Sequence, residues 1–321
     1  MSRSRVCRGL PKWSRRNLFQ ESYQSKHHHF RGRKRKYEDR TRPLDESRPF
    51  GIRRLDATIG GGAPAGSVVL VAGETGAGAR EFCYTSAVLC ELARSDPELF
   101  ELHYGDLAPA ADLPEAIHYL SFTADETRLR REIGLVIDEE IATAGLDSIS
   151  FHDLSAGYFG PSPVPVEWYT NRVTDIEALG TGGGHEDVLT AVADRLDARA
   201  PGGLVAIDSL TDLLKASGER TWADIVMLVR GLAKAATAWN GLVLLHVNRD
   251  TLTEREYGLL ADAVSGTMEF AWESSESSRA RTMIVKHFRG VLPRIEAEDI
   301  VRFETDIGPT GFDISDVRKI R

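Results

Sequence analysis

Gly73-Glu-Thr-Gly-Ala-Gly-Ala-Arg80 follows directly on the apolar run Ser67-Val-Val-Leu-Val-Ala72 and leads into helical text over 80–94. The run is short, β-branched and bounded by glycine, which predicts a buried strand. Strand, glycine loop and helix in that order build a cradle for phosphate. Glycines let successive backbone N–H groups converge, and the helix N-terminus adds positive potential. A working cradle of this kind also needs a lysine for the β- and γ-phosphates and a Ser or Thr for magnesium. Here those positions hold Ala79 and Arg80. The backbone pattern survives while both chemical groups are missing. Arg80 either swings back toward a phosphate or, lying on the first helical turn, pairs with an acid or faces solvent.

Outward from the cradle, the chain alternates strands and helices. Ile117–Phe122, Leu204–Ile207 and Leu242–Val247 read as strands. Helical text covers about 125–142, 186–199, 210–216, 221–238 and 252–264. Residues 96–116 read as an acidic insertion and 153–170 as a loop. Strand-like segments near 267–273 and 281–288, then a hairpin around Gly308-Pro-Thr-Gly311, follow without helices between them. The pattern predicts an α/β fold with a mainly parallel sheet covered on both faces and an antiparallel edge. Leu204-Val-Ala-Ile-Asp208-Ser209 is an apolar strand ending in a carboxylate, ~130 residues after the glycine loop. Such an Asp bonds magnesium-bound water in nucleotide hydrolases, and it also suits a helix N-cap. His246 and Asn248 are polar residues that close the next strand.

The 321 residues carry 40 Lys+Arg and 48 Asp+Glu, a net charge of −8. Residues 1–42 hold +11 and residues 43–321 hold −19. The acidic part has only four lysines, Lys215, Lys234, Lys286 and Lys319. That balance suits a salt-loaded cytoplasm, or a GC-rich genome that prefers Arg. The first 42 residues read as a disordered basic extension, with Arg31, Arg33, Lys34, Arg35 and Lys36 nearly continuous. It is either an arm that contacts nucleic acid through phosphates or a mis-called start, with translation beginning near Leu44. Residues 43–321 read as one domain. No apolar stretch is long enough for a transmembrane helix, and no secretory signal is recognisable. The expectation is a cytoplasmic protein. Cys7, Cys83 and Cys90 are too few and too scattered for a disulfide framework. Gly180–Gly184 follows no strand and reads as a flexible loop, and His27–His29 lie within the basic extension.

Residues 51–85, Asp208-Ser209-Leu210 and Lys286-His-Phe-Arg289-Gly290 together resemble the RecA superfamily in its KaiC-like branch of archaeal ATPases, and within it the haloarchaeal HTR-like proteins. The lead-in, Gly51-Ile-Arg-Arg-Leu-Asp56 and Ile59-Gly-Gly-Gly-Ala-Pro64, carries the most specific part. The resemblance implies a RecA-like P-loop fold and subunits that associate with ATP between them. It places nucleotide at Gly73, Glu74, Thr75, Gly76, Ala77, Gly78, Ala79, Arg80, Asp208 and Ser209, with magnesium at Asp208. It implies a catalytic acidic pair directly after Phe122, but Thr123 and Ala124 stand there and Asp125 and Glu126 come two residues later. Thr123-Ala-Asp-Glu126 also fits a capping box. It implies sensor or inter-subunit roles for His246, Asn248, Lys286 and Arg289. The last two have one extra residue between them, a spacing that puts them on opposite faces of a strand. The reading is a degenerate P-loop protein, a pseudo-ATPase that regulates through a protein partner or self-association. The alternatives are a slow ATPase using Arg80 with Asp125 or Glu126, and a DNA-associated factor anchored by residues 1–42.

Overall fold

The structure is a computed structural model and describes residues 46–160, 162–169, 188–216, 222–274, 279–291 and 300–319. The basic extension at 1–42, with its histidines, and the glycine run at 180–184 lie outside the described residues. So does the proposed start at Leu44.

Two short strands, β1 (Ser47–Arg48) and β2 (Ala63–Pro64), pair antiparallel and bracket α1 (Arg53–Ile59). This is the lead-in. At Gly62, with φ +121°, a Cβ would lie 2.1 Å from the Arg48 carbonyl oxygen, so only glycine fits the strand pair. Asp56 ties the lead-in together. Its carboxylate accepts from the Phe50 and Ile52 N–H groups at 2.8 and 3.2 Å and from the Tyr104 hydroxyl at 3.0 Å.

Among the described residues the main sheet has nine strands. Five run in chain order from the cradle: β3 (Ser67–Gly73), β4 (Ile117–Ser121), β5 (Ser150–Asp153), β6 (Leu204–Asp208) and β7 (Leu242–Asn248). They are followed by β8 (Gly266–Ser274), β9 (Arg279–Phe288), β10 (Ile300–Gly308) and β11 (Gly311–Lys319). The spatial order is β11-β10-β9-β8-β3-β7-β6-β4-β5. The six strands from β8 to β5 are parallel to one another, and β9, β10 and β11 add antiparallel. The expected parallel sheet with an antiparallel edge is present.

Helices cover both faces. α2 (Ala79–Ser95), α3 (Pro97–His103), α4 (Glu126–Gly134) and α5 (Glu139–Leu146) accompany one face. Phe82, Val88, Ile133 and Ile141 pack there with Val69, Val71, Tyr119 and Leu244 of the sheet. The other face packs α7 (Val188–Arg199), α8 (Leu210–Ala216), α9 (Trp222–Trp239) and α10 (Glu254–Ala263). Val192, Leu213, Val229 and Leu260 meet Val68, Leu70, Val205 and Val243. β3 is therefore buried on both sides, which is why its sequence is apolar throughout rather than alternating. α6 (Ser155–Phe159) and a 3₁₀ turn at Val166–Trp168 lie in the segment read as loop.

Three local expectations are corrected. The single helix expected over 125–142 is two, because Ile137 bridges to Thr310 and the Asp138 N–H donates to the Pro309 carbonyl. The insertion at 96–116 contains α3, capped by Asp96 with Pro97 at its first position. The capping box at Thr123 is absent. Asp125 is the N-cap, accepting from the Arg128 N–H at 2.8 Å, and Glu126 pairs with Arg130 at 2.8 Å. The Ser121 hydroxyl accepts from the Thr123 and Ala124 N–H groups, the chain bends at Phe122 and Thr123, and the helix begins only after Asp125.

Candidate functional site

β7 lies between β3 and β6, and the register brings their C-terminal ends together. Gly73 is opposite Asn248, and Asp208 is opposite Ser121 of β4. The site sits along this edge, where parallel α/β sheets bind ligands. A cavity of about 240 Å³ opens there, lined among others by Gly76, Gly78, Arg80, Ser209, His246 and Asn248.

The glycine loop has the geometry its sequence predicts. Gly76 and Gly78 take φ of +75° and +106°, and Gly78 precedes α2 with no side-chain cap. The first N–H groups of α2 therefore lack partners within the helix, and Gly78, Ala79, Arg80 and Glu81 line the cavity. At Gly73 a Cβ would fall 2.4 Å from the Ala79 Cβ, so strand and helix touch at this glycine. Glu74 anchors the loop to β8. Its N–H donates to the Phe270 carbonyl, and its carboxylate accepts from the Trp272 N–H at 3.0 Å. The Trp272 indole N–H donates to the Thr75 carbonyl, and Arg281 Nε donates to the Gly76 carbonyl, both at 3.1 Å. The Thr75 N–H donates to Asp250 Oδ2 at 3.0 Å, and its hydroxyl donates to the same oxygen at 3.2 Å. Asn248 Nδ2 donates to that hydroxyl at 3.3 Å. Ala77 is fully buried and Ala79 nearly so, both in the core beneath the loop.

Asp208 is the electrostatic centre. Strand alternation puts Asp208, Tyr119 and His246 on the α2 face of the sheet, and all three are buried. Arg80 reaches down from the first turn of α2. Its Nε and Nη2 lie 3.2 and 3.1 Å from Asp208 Oδ1. His246 Nδ1 is 2.8 Å from the same oxygen, and the Tyr119 hydroxyl donates to Oδ2 at 3.0 Å. Burial pushes the Asp208 pKa up, but the bonds and charges of His246 and Arg80, with the Tyr119 bond, outweigh it and hold the carboxyl at about 2. Burial opposes the Arg80 charge, yet the Asp208 carboxylate raises its pKa above the ordinary value. Burial foremost, with the Asp208 charge beside it, pushes the Tyr119 hydroxyl well above its ordinary range.

Of the residues singled out in the sequence, the glycine loop, Arg80, Asp208, Ser209, His246 and Asn248 come together at this edge. Asp208 does not cap α8. The Ser209 hydroxyl does so, accepting from the Asp212 N–H at 3.2 Å and donating to its carboxylate at 2.6 Å. Asp125 and Glu126 do not line the cavity, and their carboxylates are engaged as described above. Lys286 and Arg289 do not line it either. Lys286 lies 3.3 Å from Glu269. Thr267 pairs with His287 and Met268 with Val285, so Lys286 is the extra residue of a β-bulge. That bulge interrupts the strict alternation assumed for 286–289, and Arg289 falls beyond the end of β9. Tyr119, Asp250 and Trp272 were not read from the sequence. Tyr119 was within reach, because strand parity puts it on the Asp208 face.

The fit to a nucleotide with its metal splits in two. Open N–H groups at a helix start suit phosphate. The metal position does not fit. Asp208 is buried with both oxygens engaged: Oδ1 takes the two Arg80 contacts and the His246 contact, Oδ2 takes the Tyr119 hydroxyl, and the Arg80 cation stands where a metal ion would have to approach.

The chain resembles a crystal structure of a KaiC-like protein from the hyperthermophilic archaeon Pyrococcus horikoshii OT3. The TM-score is 0.54 at 16% sequence identity, covering 85% of this chain and 100% of that one. The fold is RecA-like. No family model matches the chain, and no curated protein does. No helix among the described residues is long and apolar enough to cross a membrane.

Proposed function

We propose that this chain is a degenerate KaiC-like P-loop protein, a pseudo-ATPase that binds nucleotide weakly or not at all and acts as a regulator through protein contacts or self-association. The observation that carries the reading is the Arg80–Asp208 ion pair. Rapid phosphoryl transfer needs a charged lysine on the transferring group, a held magnesium ion and a base for the attacking water. Position 79 is a buried alanine. The carboxylate that would serve magnesium is bonded to a guanidinium, an imidazole and a phenol. The two acids nearest the expected base, Asp125 and Glu126, cap and brace α4. A slow ATPase that uses Arg80 as its phosphate clamp would first have to break the pair with Asp208.

The test is steady-state phosphate release by the full chain with magnesium and ATP, in molar potassium chloride, which the acidic, lysine-poor body is read to favour. The expected result is no turnover above background. Turnover that disappears in Asp208→Ala would overturn the proposal.

A further inference from the structure

We propose that the cradle works without a divalent cation, and that the Arg80 guanidinium is its resident counter-charge. This rests on the weak-binding form of the proposed function, and it names the form taken: free ATP or another metal-free polyphosphate, rather than the magnesium complex.

Magnesium requires near-octahedral oxygen ligands at about 2.0–2.1 Å and keeps several waters. A P-loop supplies one hydroxyl from the loop and one carboxylate from the neighbouring strand. The hydroxyl position is Arg80, a cation. The carboxylate, Asp208, has a side chain only 6% exposed and bears the four donor contacts already described. The other hydroxyls at the cavity are bonded within the protein. Thr75 bonds Asp250, Ser209 bonds Asp212, Thr211 accepts from the Asn248 N–H, and Thr251 donates to the Asn248 carbonyl. A divalent ion at Asp208 would also meet the like charge of Arg80 within a few ångströms.

Arg80 can do part of what the ion would do. Its side chain is 45% exposed, so one edge of the guanidinium is held by Asp208 while the rest faces the cavity mouth. Guanidinium groups bind phosphate oxygens in a fork geometry and are always charged. Pairing with Asp208 fixes the group in place before any ligand arrives.

The experiment uses the full chain and two readouts. Manganese, as a probe for magnesium, is titrated by electron paramagnetic resonance without nucleotide. ATP is titrated calorimetrically in EDTA and in millimolar magnesium. The wild type is expected to show no manganese site that depends on Asp208. Its ATP affinity should be the same in the two buffers within about threefold, well under one decade of Kd. Arg80→Thr frees the carboxylate and adds a hydroxyl. It should gain one manganese site, lost again when Asp208→Asn is added, and bind ATP at least about tenfold more tightly with magnesium. Arg80→Lys keeps the charge and should stay metal-independent, which guards against misfolding of the threonine variant. A wild-type manganese site removed by Asp208→Asn overturns the proposal. So does a tenfold or greater tightening of wild-type ATP binding by magnesium, on the order of 1.4 kcal/mol. If ATP binds in neither buffer, this proposal is overturned, while the pseudo-ATPase reading, which includes no binding at all, stands. The manganese titration still reports separately whether the metal position is closed.

Discussion

Replacing Asp208 by asparagine should reveal a stability difference that shrinks as the solution is acidified. The carboxyl is held at about 2 in the fold, against an ordinary value of 3.8. Its folded pKa is depressed, so it contributes stability above about pH 4 that is lost as pH falls through 2. A shift of about 1.8 units is worth about 2.4 kcal/mol at 1.36 kcal/mol per unit. Linkage then predicts that about 1.1 kcal/mol of it has gone by pH 3, and almost none by pH 5. Asparagine cannot titrate, so the wild-type advantage in urea unfolding should narrow by that amount between pH 5 and pH 3. Paired urea titrations at the two pH values measure it, with equal slopes confirming that only stability changed. A wild-type advantage that stays constant over this window would refute the argument. It would mean that Arg80, His246 and Tyr119 do not hold the carboxylate as the geometry states.

Other outcomes follow from the same packing. Gly73→Ala forces a Cβ to within 2.4 Å of the Ala79 Cβ, and thermal melting should show a loss of about 1–3 kcal/mol. Phe312, at the hairpin between β10 and β11, packs edge-on against Phe82 and Phe270. It also lies close over Gly78. Phe312→Ala should cost about 3–5 kcal/mol in urea unfolding. Asp56 behaves oppositely to Asp208, because burial outweighs its three hydrogen bonds and pushes it up to about 7. A raised pKa gives stability that is present in acid and lost as pH rises. The wild type should therefore lose about 2 kcal/mol relative to Asp56→Asn between pH 5 and pH 7.

The strands nearest the site were legible because their physics is local. β3, β6 and β7 are buried on both faces, so each reads as a continuous apolar run, and the glycines of the loop mark a turn that other residues resist. β5 escaped because Ser150-Phe-His-Asp153 is a short partly exposed edge with no apolar run. The break between α4 and α5 escaped because its cause lies near residue 310, far along the chain. The loss of lysine and threonine at 79 and 80 was plain in the sequence, and so was the possibility that Arg80 pairs with an acid. Which acid it pairs with was not. That depends on β7 separating β3 from β6, and on strand alternation turning Asp208, His246 and Tyr119 to one face. Asp250 and Trp272 reach the loop only through tertiary contacts, and no local pattern distinguishes them from other polar or aromatic residues.

The central proposal is that the site does not carry out phosphoryl transfer, because Asp208, the carboxylate that would serve a metal, is committed to Arg80, His246 and Tyr119. The most direct test is a single-turnover experiment with the full chain in excess over γ-labelled ATP and magnesium, read as labelled phosphate released. The account predicts that the label stays in ATP at the rate of the protein-free control. Release above that control that is removed by Asp208→Ala would contradict it.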